Sequence, residues 1–449
     1  MFKKYPSMNY IIIMCGIFGI FNNDNKDTII NDMIEGIKSL QHRGQDAHGI
    51  SYKLKDKQNI NTMKYLGMVK TDNFTDIINT KYITSCIGHT KYSTSSKINN
   101  FKKVSSEEIQ PISNKEISIV HNGNIPNVKG FDTEFLMKRI INYNGSFSDS
   151  LINIVNTIPA AFCLLIIYKN DLFIIRDRYG IRPLSYGYKN NNVVISSESI
   201  SLNGCINISD VLPGEIIRIN SNGLRQIYNH PDSKDCFCSF ELFYFMNPYS
   251  YYNKKLVKQY REELANKLAK KEDIIPVKSD YIVIGIPSSG IIYGMEYAKH
   301  MCLNYKQLIQ KKTSERTFIG VNKEEREKIC NDKFVFHKTG ISGENIIIVD
   351  DTIVRGNVMK NIINNLKLCG ANEIHVRIPS PPVIDRCQLG IDINKEDLIM
   401  NNKSIHEVES IFEINSLKYL ILKDLSNFPK HSYKECFGEL DKKIIFDNE

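Results

Sequence analysis

The spacing of apolar residues changes near the middle of the chain, and this change limits the folds that the chain can adopt. The first half contains many short apolar runs bounded by Gly, Asn and Asp, such as residues 17–21, with helical spacing in only two stretches. In the second half, strand-like runs alternate with helical ones, as where residues 346–349 precede a helical stretch at 358–369. We therefore predict an α+β domain over residues 15–238 and an α/β domain with a parallel sheet over residues 239–449.

Length and composition exclude several classes of protein. At 449 residues the chain is too long for one ordinary hydrophobic core, and its 42% hydrophobic and 24% charged residues are typical of a soluble globular protein. Eleven cysteines without regular spacing favour reduced thiols in the cytoplasm over a secreted disulfide scaffold. The net charge of +8 comes with no dense basic block, so no nucleic-acid partner is predicted.

The N-terminus superficially resembles a signal peptide. Lys3 and Lys4 precede an apolar run at residues 11–21, but this run is too short to cross a bilayer as a helix and has no small-residue cleavage site at its end. We therefore predict a buried strand and no membrane association. Import into an organelle, directed by residues 1–14, stays open as an alternative.

Cys15 opens this apolar run, yet fourteen residues precede it. A cysteine that uses its own α-amino group as catalytic base must be the first residue of the working protein, because a peptide-bonded nitrogen has no basic lone pair. Met14 directly precedes Cys15, so translation could start at Met14, or residues 1–14 could be a propeptide. If Cys15 is catalytic, residues 1–14 must be untranslated or removed.

Five segments of the first half together form a recognisable set. They are residues 14–17 (MCGI), 41–46 (QHRGQD), 88–94 (GHTKYST), 121–124 (HNGN) and 132–134 (DTE). Each is weak alone, since Asn-Gly, for example, usually marks a hairpin turn. In this order they resemble the signature of the N-terminal-nucleophile (Ntn) glutamine amidotransferases. The resemblance implies an αββα sandwich that hydrolyses glutamine.

The resemblance also implies roles for individual residues of the first half. Cys15 would supply the nucleophile and, through a free amine, the base, while Asn122 and Gly123 would form the oxyanion hole.

The implied glutamine-binding residues are Arg43, Lys91 and Asp132, which offer cations for the carboxylate of glutamine and an anion for its ammonium group. The family has arginine where Lys91 stands. Lysine keeps the charge but loses the two-pronged donor geometry, so we expect weaker glutamine binding.

A second motif follows the predicted strand at residues 346–349. Asp350 and Asp351 end this strand, and a short loop leads to a predicted helix. Such a loop can hold a phosphate through its N–H groups and the helix dipole, while the two acids can bind ribose hydroxyls and Mg²⁺. The segment resembles the phosphoribosyl pyrophosphate (PRPP) motif of type I phosphoribosyltransferases.

Taken over nearly its whole length, from Cys15 to Gly438, the chain resembles the amidophosphoribosyltransferase family. That resemblance implies synthesis of 5-phosphoribosylamine from PRPP and glutamine, the first step of de novo purine synthesis, by a homo-oligomer. The residues implied to bind PRPP are Asp350, Asp351, Thr352, Arg355, Gly356, Asn357, Arg316 and Lys333. Mg²⁺ would be bound through Ser289, Asp350 and Asp351.

Some members of this family hold a [4Fe–4S] cluster on four cysteines. Cys238, Cys387 and Cys436 match three of the four positions, but the fourth is Tyr433, and the neighbouring Cys236 is the available substitute. A cluster and a set of buried apolar cysteines both stay open at this point.

Three other functions also stay open. An amidotransferase that makes glucosamine 6-phosphate would share the first half but not the motif at residues 350–356. A catalytically lapsed protein with a binding or regulatory role is suggested by departures from the family pattern at Lys91, Ser288, Val358 and Tyr433. An enzyme that uses free ammonia only is an intermediate alternative.

Overall fold

In the computed structural model, two antiparallel sheets form the first half of the chain. The structure describes residues 15–23, 29–92, 106–126, 128, 130–277, 279–312, 334–387, 389, 395–425, 428 and 434–438. The strands of the first half are β1 (Gly16–Phe21), β2 (Ala47–Leu54), β3 (Ile60–Leu66), β4 (Ile83–Lys91), β5 (Ile112–Ser113), β6 (Ile117–Asn124), β7 (Ala161–Tyr168), β8 (Asp171–Arg176), β9 (Ser185–Lys189), β10 (Asn192–Ser196), β11 (Ile206–Asp210), β12 (Glu215–Asn220) and β13 (Gly223–Asn229).

These strands form two layers that share an apolar interior. Within the described residues, one sheet has the order β11-β9-β10-β1-β4-β2-β3 and the other the order β13-β12-β8-β7-β6-β5. Ile17 and Ile87 of the first sheet pack with Val120 and Leu165 of the second in one buried cluster. Because β1 and β7 are buried along almost their whole length, their apolar runs are continuous instead of alternating.

Helices cover the outer faces of both sheets. They are α1 (Ile30–Ser39), α2 (Asp132–Ile141) and α3 (Phe147–Thr157). α1 buries its apolar face against the first sheet, and α2 and α3 pack on the second. Ser146 caps α3 by accepting a hydrogen bond from the Asp149 N–H, which explains where that helix begins. The predicted αββα sandwich is confirmed.

The second half of the chain is built around a parallel sheet. Its strands and the short strands beside them are β14 (Tyr251–Tyr252), β15 (Lys255–Leu256), β16 (Tyr281–Gly285), β17 (Asn304–Tyr305), β18 (Ile309–Lys311), β19 (Phe334–Phe336), β20 (Asn345–Val349), β21 (Glu373–Ile378) and β22 (Ser416–Tyr419). The helices are α4 (Val257–Lys270), α5 (Gly290–Met301), α6 (Lys338–Ile341), α7 (Asn357–Leu368) and α8 (Ile405–Phe412).

The main sheet of this half has the order β17-β16-β20-β21-β22, and all of its pairs are parallel. The predicted α/β architecture is confirmed. The carboxyl ends of the parallel strands meet at one edge of the sheet, where open α/β sheets bind their ligands. No helix in the described part of the chain is long and apolar enough to span a membrane.

A π-helix at Glu241–Phe245 lies between the antiparallel sheets and the parallel one, and we call it the linker helix. Arg261 of α4 fixes it by donating to the carbonyls of Leu242, Tyr244 and Met246 at 2.7–3.2 Å. The Tyr293 hydroxyl donates to the Phe243 carbonyl at 3.0 Å. Residues of both halves of the chain lie in the buried apolar cluster that contains this helix.

A buried ion pair stabilises the second half. The Arg377 guanidinium donates to both carboxylate oxygens of Glu272, at 2.5 and 3.1 Å, and both side chains are fully buried. Burial alone would raise the pKa of Glu272, but the hydrogen bonds and charge of Arg377, with a hydrogen bond from Tyr297, lower that pKa to about 2. Because the folded pKa lies below the usual value of 4.5, the pair contributes stability above pH 4.5 that is lost as pH falls towards 2.

We predict that Glu272→Gln flattens the pH dependence of unfolding. The free energy of unfolding of the unmodified protein should fall more steeply between pH 4.5 and 3 than that of the variant, since glutamine has no proton to take up. Urea denaturation across this range measures the difference. Glu262→Gln, which alters an exposed pair with Lys258, is the control. Equal slopes in the Glu272→Gln variant and the unmodified protein would contradict the assignment.

Candidate active site

Cys15 lies at the start of β1, a central strand of the first sheet. Gly16 pairs with Thr90 of β4, so the end of β4 that carries Lys91 runs beside the cysteine. The Cys15 side chain is buried, and burial raises the pKa of its thiol, whereas the positive charges of Lys91 and Arg43 act in the opposite direction. A thiol near two cations is in a setting that can stabilise a thiolate.

Asn122 and Gly123 lie on β6, which crosses beneath β1 and β4 in the facing sheet. Asn122 is 1% exposed, and its side-chain amide nitrogen has no hydrogen-bond partner. A buried donor without a partner is costly, and its presence indicates a place for a ligand oxygen. At Gly123 a Cβ atom would lie 1.9 Å from the Ala161 carbonyl oxygen, so only glycine fits this pairing of β6 with β7.

Asp132 is the first residue of α2, and its carboxylate faces His121. The Asp132 Oδ2 atom lies 3.4 Å from His121 Nδ1, and Oδ1 accepts a hydrogen bond from the Thr133 N–H at 2.8 Å. Burial would raise the pKa of Asp132, but His121 and the N–H groups of Thr133 and Ile125 outweigh that effect and lower the pKa. Asp132 is therefore an anion, as binding of an ammonium group requires.

Lys91 ends β4 with its ammonium group 5.8 Å from the centre of the Phe131 ring. Its charge acts on Cys15 and on His89, two residues earlier on the same strand. His89 is fully buried, and its pKa lies well below the usual value because of burial first and of Lys91 and His121 second. The structure thus brings Cys15, Lys91 and Asp132 together, with a neutral His89 among them.

The prediction that Arg43 binds glutamine disagrees with the geometry. The Arg43 Nε atom donates to the Cys15 carbonyl at 2.9 Å, and Nη1 donates to Glu198 at 2.5 Å. Nη1 and Nη2 also donate to the two carboxylate oxygens of Glu241, each at 3.0 Å. The Arg43 side chain is fully buried between these carboxylates, so it holds the backbone of Cys15 and does not face a substrate carboxylate.

The two acids that hold Arg43 join the two halves of the chain. Glu241 begins the linker helix and also accepts from Arg182 at 3.2 Å. Glu198 accepts from the Asn247 N–H and the Ser250 hydroxyl at 2.8 and 2.7 Å. Sequence reasoning missed Glu198 and Glu241. A usable signal was present at Glu241, because a lone acid inside the aromatic run at residues 240–245 suggests a buried ion pair.

The acidic pair of the second half lies where it was expected. Asp350 and Asp351 directly follow β20 at the carboxyl edge of the parallel sheet. Asp351 is 3% exposed and accepts a hydrogen bond from the Thr352 hydroxyl at 2.7 Å and another from Ser289. Burial, and for Asp350 the neighbouring carboxylate as well, raises the pKa of both acids. Such a pair favours binding of a proton or a cation.

The loop after this pair ends at the start of α7. Gly356 has a φ of +78° at the N-cap, a conformation that other residues rarely adopt. Asn357 is the first helical residue, so the loop N–H groups lie at a helix N-terminus, as phosphate binding requires. Arg355 lies just before this turn, with its side chain 16% exposed.

Tyr244 of the linker helix lies between the two candidate sites. Burial raises its pKa, and the charges of Asp351 and Asp350 on one side and of Tyr92, next to Lys91, on the other act in the same direction. No sequence motif pointed to Tyr244, because its position depends on how the two halves pack.

Several predicted residues lie outside the described part of the chain. They are Arg316, Lys333 and Tyr433, together with residues 1–14. Cys238, Cys387 and Cys436 are buried in one apolar cluster. Among the described residues, no group of three or more His, Cys, Asp or Glu side chains is arranged to hold a metal ion.

We predict that Glu241→Ala strongly destabilises the protein, because Arg43 and Arg182 would stay buried with less counter-charge. Breaking a buried pair typically costs about 3–5 kcal/mol, whereas an exposed pair contributes about 1 kcal/mol or less. Glu35→Ala, which removes an exposed partner of Lys38, is the matched control. Urea denaturation compares the two variants, and equal, small losses of stability would show that the network is not a stabilising element.

Known proteins match this chain over nearly its whole length. The family described as “Glutamine amidotransferase domain” matches residues 98–204. The curated amidophosphoribosyltransferase of Methanocaldococcus jannaschii is 32% identical over 92% of this chain and 93% of its own length. That of Pyrococcus horikoshii is 33% identical over 90% of this chain and 91% of its own length.

Two solved structures share the fold over nearly the whole chain. Glutamine PRPP amidotransferase from Bacillus subtilis, in complex with ADP and GMP, has a TM-score of 0.81 at 26% identity and covers 95% of this chain and 97% of its own. A structure described as the allosteric regulatory enzyme of purine biosynthesis has a TM-score of 0.82 at 27% identity and covers 95% and 96%. By sequence and by fold, the chain belongs to the amidophosphoribosyltransferase family.

Proposed function

We propose that this member of the family couples two reactions in one chain, with residues 15–238 hydrolysing glutamine and residues 239–449 transferring the released ammonia to PRPP. The product is 5-phosphoribosylamine, and the reaction opens de novo purine synthesis. The observation that carries the proposal is that one chain contains both sites. In the first half, the sheet that begins with the buried Cys15 faces the sheet that carries the unpartnered Asn122 amide. In the second half, the acidic pair leads into a helix N-terminus.

In the proposed first reaction, the thiolate of Cys15 attacks the side-chain amide carbon of glutamine, after removal of residues 1–14 has freed its amine. That amine takes up the thiol proton and delivers it to the leaving ammonia, and water then hydrolyses the thioester. The Asn122 amide and the Gly123 N–H hold the oxyanion. Lys91 binds the carboxylate of glutamine and Asp132 binds its ammonium group, which the depressed pKa of Asp132 supports.

In the proposed second reaction, ammonia passes internally beside the linker helix and attacks C1 of the bound ribose, displacing pyrophosphate. Asp350 and Asp351 bind the ribose hydroxyls, and the loop over residues 352–357 holds the 5′-phosphate. The residues contribute mainly by positioning the reactants and stabilising charge. Arg316 and Lys333, outside the described residues, are proposed to bind the pyrophosphate.

Asp350, Asp351 and Ser289 are suitable ligands for Mg²⁺. Two adjacent carboxyl groups with raised pKa values, one hydrogen-bonded to Ser289, make a hard oxygen donor set for such an ion. When bound, Mg²⁺ would neutralise the charge of the pyrophosphate. The [4Fe–4S] cluster stays a prediction, with Cys238, Cys387 and Cys436 as its implied ligands, and no catalytic step depends on it.

We place the enzyme in the cytoplasm. Buried cysteines of the described part of the chain such as Cys86, Cys163 and Cys369 are free thiols, which supports a reducing compartment. The homo-oligomer implied by the sequence resemblance stays a prediction.

Product formation from PRPP, measured with glutamine and separately with an ammonium salt, tests the proposal. We expect product from both nitrogen donors. Product from ammonium alone would favour an enzyme that uses free ammonia only, and product from neither would favour the lapsed protein.

We predict that Asn122→Ala lowers the glutamine-dependent rate about 10²–10³-fold, the usual cost of losing one oxyanion donor. The ammonium-dependent rate should change little, because the second site is untouched. Asn156→Ala, at an exposed asparagine that bonds the Tyr228 hydroxyl, is the control and should leave both rates unchanged. A similar fall in both rates for Asn122→Ala would contradict the assigned role.

A further inference from the structure

The Arg355 side chain is partly buried, and two of its donor atoms have no hydrogen-bond partner. It is 16% exposed, and its Nε and Nη2 atoms are buried without a hydrogen-bond partner. Buried guanidinium donors without acceptors are unfavourable unless a ligand accepts their hydrogen bonds. Its place between the acidic pair and the α7 N-terminus, at the ligand-binding edge of the sheet, indicates that the ligand is an anion.

Asp397 is an acidic residue near Arg355 that attracts its guanidinium without accepting a hydrogen bond from it. The Asp397 Oδ2 atom lies 3.6 Å from Arg355 Nη2, which is close enough for attraction but too long for a hydrogen bond. Asp397 ends the short 3₁₀ turn Lys395–Asp397, and its side chain is 33% exposed. Lys395, in the same turn, pairs with Asp385 at 3.1 Å. It therefore does not compete with Arg355 for Asp397.

The segment that carries Asp397 is fixed against the loop. The Ile399 N–H donates to the Val354 carbonyl at 2.9 Å, and the neighbouring Leu398 is 1% exposed in the core. Ile399 also packs on the Gly356 turn, where a Cβ atom would lie 3.2 Å from its Cγ1. The Asp397 carboxylate therefore has a defined position relative to Arg355.

We propose that Asp397 is a positioning residue that orients Arg355 for the phosphate groups of PRPP, an inference that rests on the proposed function of this loop. The carboxylate attracts one edge of the guanidinium and restricts its rotation. Because this contact uses no hydrogen bond, the donors of Arg355 stay available for phosphate oxygens, which accept from arginine in a two-pronged geometry.

Steady-state kinetics of Asp397→Ala with ammonium as nitrogen donor test this proposal, since ammonium bypasses the first site. We expect the KM for PRPP to rise about twofold to fivefold, the factor that corresponds to loss of a partly exposed ion pair, while kcat stays close to that of the unmodified enzyme. Asp397→Glu should restore most of the affinity. Asp385→Ala, which removes the partner of Lys395 nearby, should leave KM unchanged.

An unchanged KM in Asp397→Ala would overturn the proposal. So would a fall in kcat and in melting temperature with no selective effect on KM, because that pattern indicates a purely structural role. Failure of the proposed function would be distinguishable from failure of the role of Asp397, because the unmodified protein would then form no product from PRPP and ammonium.

Discussion

The buried ion-pair network around Arg43 is the interaction on which the arrangement of both sites depends. Arg43 bonds the Cys15 carbonyl, Glu198 and Glu241. Glu198 also accepts from Asn247 and Ser250 of the second half, and Glu241 is itself a residue of the second half. Charges buried this completely persist only when each has partners in good geometry. The start of β1 and the linker helix therefore cannot shift relative to each other without exposing or stranding a charge.

The linker helix connects this network to the second site. Its first residue, Glu241, bonds Arg43, while Tyr244 lies near Asp350 and Asp351. Its carbonyls are held by Arg261, which also lies close enough to Asp351 to act on the charge of that acid. π-Helices of this kind are rare and often occur at functional sites. Here one short segment of this kind contacts the surroundings of both candidate sites.

Local pattern was sufficient to predict the fold class and where several candidate site residues lie in it. The apolar runs that form β1 and β7, the alternation of strands and helices after residue 239, and the acids at the end of β20 are all local features. The predicted positions of Asn122 and Asp351 could be read from short motifs for the same reason.

Features that depend on distant partners could not be predicted. The resemblance implies a glutamine-binding role for Arg43, and the sequence could not reveal its ion-pair partners, because Glu198 and Glu241 lie 155 and 198 residues away in the chain. His89 had no assigned role, because β4 is buried on both faces and its pattern does not say which side chains face the site. The relation of Asp397 to Arg355 likewise requires the packing of the 3₁₀ turn against the loop.

The central claim is that Cys15, held through its carbonyl by Arg43, acts as an N-terminal nucleophile with a free amine. Intact-mass analysis of the natively expressed, active enzyme tests this claim most directly, combined with assay of glutamine hydrolysis on the same sample. The account predicts a chain that begins at Cys15. A chain that retains Met14 and still hydrolyses glutamine at full rate would contradict it.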